Sequence, residues 1–147
     1  MNRKVLKIVS ALILAAMPVL AGGASPEPIV RVNVPFDFMV NGRELPAGQY
    51  TVAKVATSAL VIRGEKKAVT FLTFSGKAEK GAPSARFVFR RYNNQHFLGT
   101  IWDGLSSNSI ELGKSSAERK VAAEMSRHLA QSDLQPETVT VLAGAGN

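Results

Sequence analysis

The residues best equipped for chemistry are Arg86, Arg90, Arg91 and Tyr92, with His96 and Trp102 a few positions on. They lie on two short runs, residues 85–92 and 96–103, joined at Asn93-Asn94-Gln95, which reads as a β-hairpin. With a three-residue loop, Phe87 faces Ile101, Phe89 faces Gly99 and Arg86 faces Trp102. Arg86, Arg90, Tyr92, His96 and Trp102 then share one face. With a two-residue loop at Asn93-Asn94, Phe87, Phe89, Leu98 and Trp102 share a face instead, because a one-residue slip exchanges faces. The three-residue register gives the cleaner apolar face and is the expected one. Guanidinium groups beside aromatic rings bind anionic sugars, lipid head groups or acidic peptides. The plainer alternative is a solvated face on which arginine stems cover aromatic surface.

Other chemical signals stop short. Gly113-Lys114-Ser115 ends like a phosphate-binding loop, but Asn108 occupies the place of the first glycine and no parallel βαβ unit surrounds it. Ser115 with Glu118 fits a helix capping box better. Gly104-Leu105-Ser106-Ser107-Asn108 misses the final glycine of a nucleophile elbow and joins two strands, so it reads as a polar hairpin loop. His96 and His128 lack the spacing of a metal site. Asp37, Glu44, Asp103 and Glu111 are isolated, and Asp37 is expected to face solvent or accept hydrogen bonds from a turn. Neither a cofactor nor catalysis is expected.

The elements that must position the arginine–aromatic group follow from periodicity. Ten aromatic residues all fall between Phe36 and Trp102, where short β-branched and aromatic runs alternate with turn signals. Asn41-Gly42 predicts a two-residue type I′ hairpin that sets Phe38 opposite Leu45. Leu45-Pro46-Ala47-Gly48 is a turn ahead of a strand over residues 49–55, with Tyr50 and Val52 on one face. Residues 59–63 are a strand, and residues 68–74, apolar on both faces, are expected to be a central, covered one. Residues 76–84 read as a solvated loop and residues 109–112 as an edge strand. From Ser115 the period changes to that of a helix, with Ala117, Val121, Met125 and Leu129 on a thin apolar face that docks on the sheet. The expected organisation is one antiparallel β domain over residues 25–114, a sandwich or flattened barrel of about seven strands. A C-terminal helix over 115–131 follows, then a partly mobile tail over 132–147, in which residues 138–142 are a candidate closing strand.

Residues 1–24 combine Arg3, Lys4 and Lys7 with an apolar run over residues 8–20 and small residues up to Ala24. This is the pattern of a secretory signal peptide cleaved after Ala24. The run is too short for the roughly 20 residues a spanning helix needs, so no anchor is expected after cleavage. The 147-residue chain has a net charge of +7, 18 bases against 11 acids, and no cysteine. Three bases and no acid belong to residues 1–24, which leaves +4 on the remainder, with no block of like charge. Such a diffuse charge outside the cytoplasm does not point to nucleic acid. It suits an anionic envelope component or another exported protein as partner. The absence of cysteine excludes a disulfide scaffold and a thiolate site.

Val34-Pro35-Phe36-Asp37-Phe38, Asn41-Gly42 and Leu45-Pro46-Ala47-Gly48-Gln49-Tyr50-Thr51-Val52 together resemble a family of short, signal-bearing, uncharacterised bacterial proteins. Its signature is Pro-Phe-x-Phe…Leu-Pro-Ala-Gly-x-Tyr. Phe97-Leu98…Ile101-Trp102 and the helix start at Ser115 are similar to its second half. The resemblance implies an exported β-rich domain in the periplasm or outside the cell, and assigns no catalytic or ligand residue. The function expected from the sequence is a non-catalytic, envelope-associated binding or structural module. The alternative is a small barrel carrying an apolar ligand among Phe71, Phe74, Phe87 and Phe89. A hydrolase with an unrecognised site is a weaker third.

Overall fold

The computed structural model describes residues 26–80, 84–128 and 136–144. The signal segment, its cleavage point at Ala24 and the last residues expected in the helix lie outside them. The described residues form two antiparallel sheets packed face to face, with one helix on the outside of the second. The first sheet comprises β1 (Pro28–Val34), β4 (Gly48–Ala56), β5 (Ala59–Arg63) and β6 (Ala68–Leu72), in that spatial order. The second is built on β8 (Arg86–Tyr92), β9 (Gln95–Trp102), β10 (Asn108–Glu111) and β7 (Phe74–Ala78), with β11 (Glu137–Leu142) on the other edge of β8. The hairpin of β2 (Phe38–Val40) and β3 (Arg43–Leu45) joins β9 through Met39 opposite Phe97. Among the described residues no barrel closes, and the architecture is the expected sandwich, divided into eleven short strands rather than about seven.

The inner faces meet in one core. Val32, Val34, Val52 and Ile62 come from the first sheet; Phe38, Leu45, Phe87, Phe89 and Ile101 come from the second. Phe89 is the hub. Its ring packs edge-on against Phe36, Phe38 and Phe87 at centroid distances of 5.1, 5.3 and 6.2 Å, the preferred geometry for aromatic quadrupoles.

The motif that carries the family resemblance is structural throughout. Asn41 and Gly42 take φ of 49° and 76°, and Phe38 pairs with Leu45 as the turn predicts. Asp37 accepts a 2.8 Å hydrogen bond from the Ala47 amide, which ties the strand entry to the Leu-Pro-Ala-Gly turn. The Tyr50 hydroxyl donates to the Pro46 carbonyl at 2.6 Å while its ring packs edge-on against Phe38 at 5.0 Å. Burial, and secondarily the Asp37 charge, pushes the Tyr50 phenol above its ordinary pKa.

Three expectations are corrected, and the candidate strand over residues 138–142 is found. Residues 68–74 are not a central strand: β6 is the edge of its sheet, and Leu72 and Phe74 are 70% and 63% exposed. The chain changes sheets at Thr73, so a run that is apolar on both faces is shared between two half-covered strands. Residues 76–78, expected at the start of a loop over 76–84, belong instead to β7. Gly76 has no side chain to collide with Ser109 and Glu111 of β10, so its backbone can pair there. β10 in turn lies between β9 and β7 and is not an edge. The tail strand is present, fully paired with β8 from Glu137 opposite Arg91 to Leu142 opposite Arg86.

Removing the Tyr50 hydroxyl tests the signature directly. Tyr50→Phe leaves the ring contacts in place and orphans the Pro46 carbonyl. It should lower the unfolding free energy by about 1 kcal/mol, read as a lower urea midpoint at unchanged slope. An unchanged midpoint would show that the corner does not depend on that bond.

Candidate functional site

The hairpin of β8 and β9 contains both registers considered from the sequence. At the turn, Tyr92 pairs with Gln95 across Asn93-Asn94, a two-residue loop with Asn93 at φ 51°. Phe89 accordingly faces Leu98. Between Val88 and Phe89 the register shifts by one residue at a β-bulge on Gly99, and beyond it Phe87 faces Ile101 and Arg86 faces Trp102. The bulge turns Leu98 and Ile101, three positions apart in β9, onto the same inner face opposite Phe89 and Phe87, which no uniform register achieves.

That bulge divides the candidate residues. Arg86, Arg90 and Tyr92 of β8 and Trp102 of β9 lie on the outer face of the second sheet. His96 is opposite Arg91 and falls on the other face, stacked on Phe36 at 4.0 Å with 18° between the ring planes. Burial lowers the His96 pKa below its ordinary value, and the Arg91 charge lowers it further; a backbone contact with Asp37 opposes both.

Helix α1 (Ser116–His128) covers part of the outer face. Ser115 caps it, accepting from the Glu118 amide at 3.1 Å, which is half of a capping box. The Glu118 carboxylate completes a different structure. It receives Arg90 Nε at 2.5 Å and Arg90 Nη2 at 2.9 Å, a bidentate pair, and the Tyr92 hydroxyl at 3.2 Å. Arg90 Nη2 also reaches the Leu112 carbonyl at 3.4 Å. Glu118 is 2% exposed and is the one residue of α1 that is fully buried. Burial first, then the neighbouring Glu118 charge, raises the Tyr92 pKa, which keeps that hydroxyl a donor. Gly99 leaves the guanidinium its space: a Cβ there would lie 2.5 Å from Arg90 Nη1.

Arg86 is engaged separately. Its guanidinium lies 4.8 Å from the Trp102 ring centre and donates to Glu79 at 2.5 Å. The five residues selected from the sequence therefore form three local arrangements: Arg90 with Tyr92 on Glu118, Arg86 on Trp102 and Glu79, and His96 on Phe36. Glu118 is the member that hairpin reasoning missed. The Ser-x-x-Glu spacing marked it as a cap, and nothing in the sequence links residue 118 to residue 90.

Beside this cluster an open cleft of about 250 Å³ separates β6 and β7 from β2, β9 and residues 112–115. Its walls combine apolar side chains, Met39, Phe71, Phe74 and Leu98 among them, with polar groups of Asn41, Lys114 and Ser115. Of the four phenylalanines considered for an apolar ligand, Phe71 and Phe74 line the cleft. Phe87 and Phe89 are fully buried in the packed core.

Asp103 and the Ser106 hydroxyl serve local structure. Asp103 accepts from the amides of Leu105 and Ser106 at 2.8 and 2.7 Å and from the Ser106 hydroxyl at 2.7 Å. Burial alone would raise its pKa, but these bonds outweigh it and hold the carboxyl below its ordinary value. The Gly104–Asn108 segment is thus a turn joining two strands. Among the described residues no three His, Asp or Glu side chains gather as a metal site requires, and no helix is long and apolar enough to cross a membrane.

The His96 environment gives a pH dependence of definite sign. Its pKa is lowered on folding, so as pH falls through about 6.5 the unfolded chain takes up a proton before the folded one does. The His96 contribution to stability is thus complete above the unfolded pKa and is lost as pH falls towards the folded one. Wild-type protein should lose stability between pH 7 and about pH 5.5, and His96→Phe, which keeps a ring on Phe36, should lose less. An equal fall in urea midpoint between the two pH values for wild type and variant would contradict this. No protein-family model matches the chain, and no curated protein or solved structure matches it either.

Proposed function

We propose that the chain is an exported, non-catalytic binding module that works at the cell envelope and engages its partner at the cleft beside β6. The observation that carries this reading is the cleft itself. It is open, combines apolar and polar lining groups, and is flanked by Leu72 and Phe74, two large side chains left mostly in solvent. The arginine–aromatic group supports a structural role instead. Arg90 and Tyr92 hold the helix through Glu118, and a ligand anion would have to compete with Glu79 for Arg86. This favours another exported protein over an anionic polymer as the partner.

A carrier of a small apolar ligand is the second reading, favoured by Phe71 and Phe74 in the cleft wall. At about 250 Å³ the cleft is smaller than the roughly 300–1,000 Å³ common for small-molecule sites.

Two measurements test the proposal. Residues 1–24 fused to alkaline phosphatase should give active enzyme outside the cytoplasm, and the mature chain should begin at Ser25; enzyme retained inside would overturn export. The purified chain should bind the dye 1-anilinonaphthalene-8-sulfonate at the cleft. Gly113→Leu places a side chain over the opening, where a Cβ meets only Phe74 at 3.7 Å, and should weaken binding about tenfold. Undiminished binding in a folded variant would remove the cleft as the site.

A further inference from the structure

We propose that the free edge of β6 is a strand-addition site for an extended segment of another exported protein. Three features of the incoming segment follow: it pairs with the backbone of Ala68, Thr70 and Leu72, places one apolar side chain in the adjacent cleft, and sets a carboxylate near Lys114. This rests on the binding-module reading and names its partner class.

The direction of the backbone groups comes from the ladder. The Gly64 amide donates to the Lys67 carbonyl and the Thr73 amide to the Ser58 carbonyl, while Ile62 pairs with Val69 and Leu60 with Phe71. Bonded pairs alternate in an antiparallel ladder. Residues 67, 69, 71 and 73 therefore turn their N–H and C=O groups to β5, and residues 68, 70 and 72 turn theirs away. Among the described residues no strand pairs on that side.

This edge lacks the devices that usually block pairing. Residues 68–74, Ala-Val-Thr-Phe-Leu-Thr-Phe, contain no charge, no proline and no glycine. By contrast β1 begins with Pro28 and exposes Arg31, β7 contains Gly76 and Lys77, and β11 exposes Glu137 in an ion pair with Arg91.

The cleft decides what kind of segment fits. Its volume suits one large side chain rather than a whole small molecule, and it adjoins the strand edge at Phe71 and Leu72. A backbone ladder combined with a pocket for a single side chain is the arrangement by which added strands gain affinity and specificity. Lys114 is the cation in the cleft lining, and the one acid there, Glu118, is already held by Arg90 and Tyr92. Among the described residues no acid pairs with Lys114, so an incoming carboxylate meets an available positive charge there. A second copy of this chain is a poor occupant. Pairing β6 with itself about Thr70 sets Ala68 of the copy opposite Leu72, and Val69 of the copy, buried in its own core, opposite Phe71. The cleft would remain empty.

The test uses the purified full chain and acetylated heptapeptides of alternating threonine and valine, with a central phenylalanine and one aspartate. Binding should saturate, and the amides of Ala68, Thr70 and Leu72 should become protected from exchange. A peptide with lysine replacing aspartate should bind more weakly. Thr70→Pro removes a free-side amide at an edge position that tolerates proline, and Leu72→Lys installs a guarding charge. Each should weaken binding about tenfold or more. Peptide binding unchanged in both folded variants would overturn the proposal, as would edge protection arising from a dimer without peptide. If no peptide binds while the dye binds wild type and not Gly113→Leu, strand addition fails and the cleft reading stands. If neither peptide nor dye binds, both fail.

Discussion

The buried ion pair between Glu118 and Arg90 is the interaction on which the outer half of the structure depends. Helix α1 offers little apolar surface: Ala117, Val121 and Met125 are only half-buried, and Glu118 alone is fully buried. A helix with so thin an apolar face gains little from burial. Its position is set instead by a carboxylate that has left water and has three side-chain donor bonds from Arg90 and Tyr92. Removing one partner from such a pair costs about 3–5 kcal/mol, because the other charge stays buried and unpaired. The geometry needs the bulge at Gly99 twice over. It brings both Leu98 and Ile101 of β9 onto the inner face opposite Phe89 and Phe87, and it leaves the space that the guanidinium fills.

The same pair shapes the neighbouring surface. Glu118 is at once the anchor of the helix and a wall of the cleft, and Ser115, its cap, is another. The segment from Leu112 to Ser115 must leave β10 and cross to the helix start, so it cannot continue along β6. A strand edge and a side-chain-sized opening are left side by side. The cleft on which the proposed binding role rests is thus shaped by how the helix is attached. The net charge of +7 contributes little to it, since the arginines that seemed available for an anion are matched internally.

Much of the first half of the fold was legible in the sequence because its signals are local. Asn41-Gly42 requires two left-handed residues, and Leu-Pro-Ala-Gly presets a turn; both appear where the residues place them. The second half was less legible because its determinants are non-local. A uniform register for the β8–β9 hairpin could not anticipate a bulge, so His96 was assigned to the wrong face. Residues 68–74 looked like one covered strand because two half-covered strands in different sheets leave the same apolar run. Ser115 caps α1 as its spacing predicts, but the Glu118 carboxylate does not complete the capping box, because it is held by Arg90, 28 positions away.

The most direct measurement of the central claim is amide hydrogen exchange of α1 in Arg90→Met, beside the double variant Arg90→Met with Glu118→Met. In the single variant the uncompensated Glu118 charge should release the helix. Its amides would then exchange close to the unprotected rate while β4, β5, β8 and β9 stay protected. In the double variant, with no buried charge left unpaired, helix protection should be largely restored. Protection of α1 that is unchanged in the single variant would contradict the account, because it would show that the helix is held by something other than this ion pair.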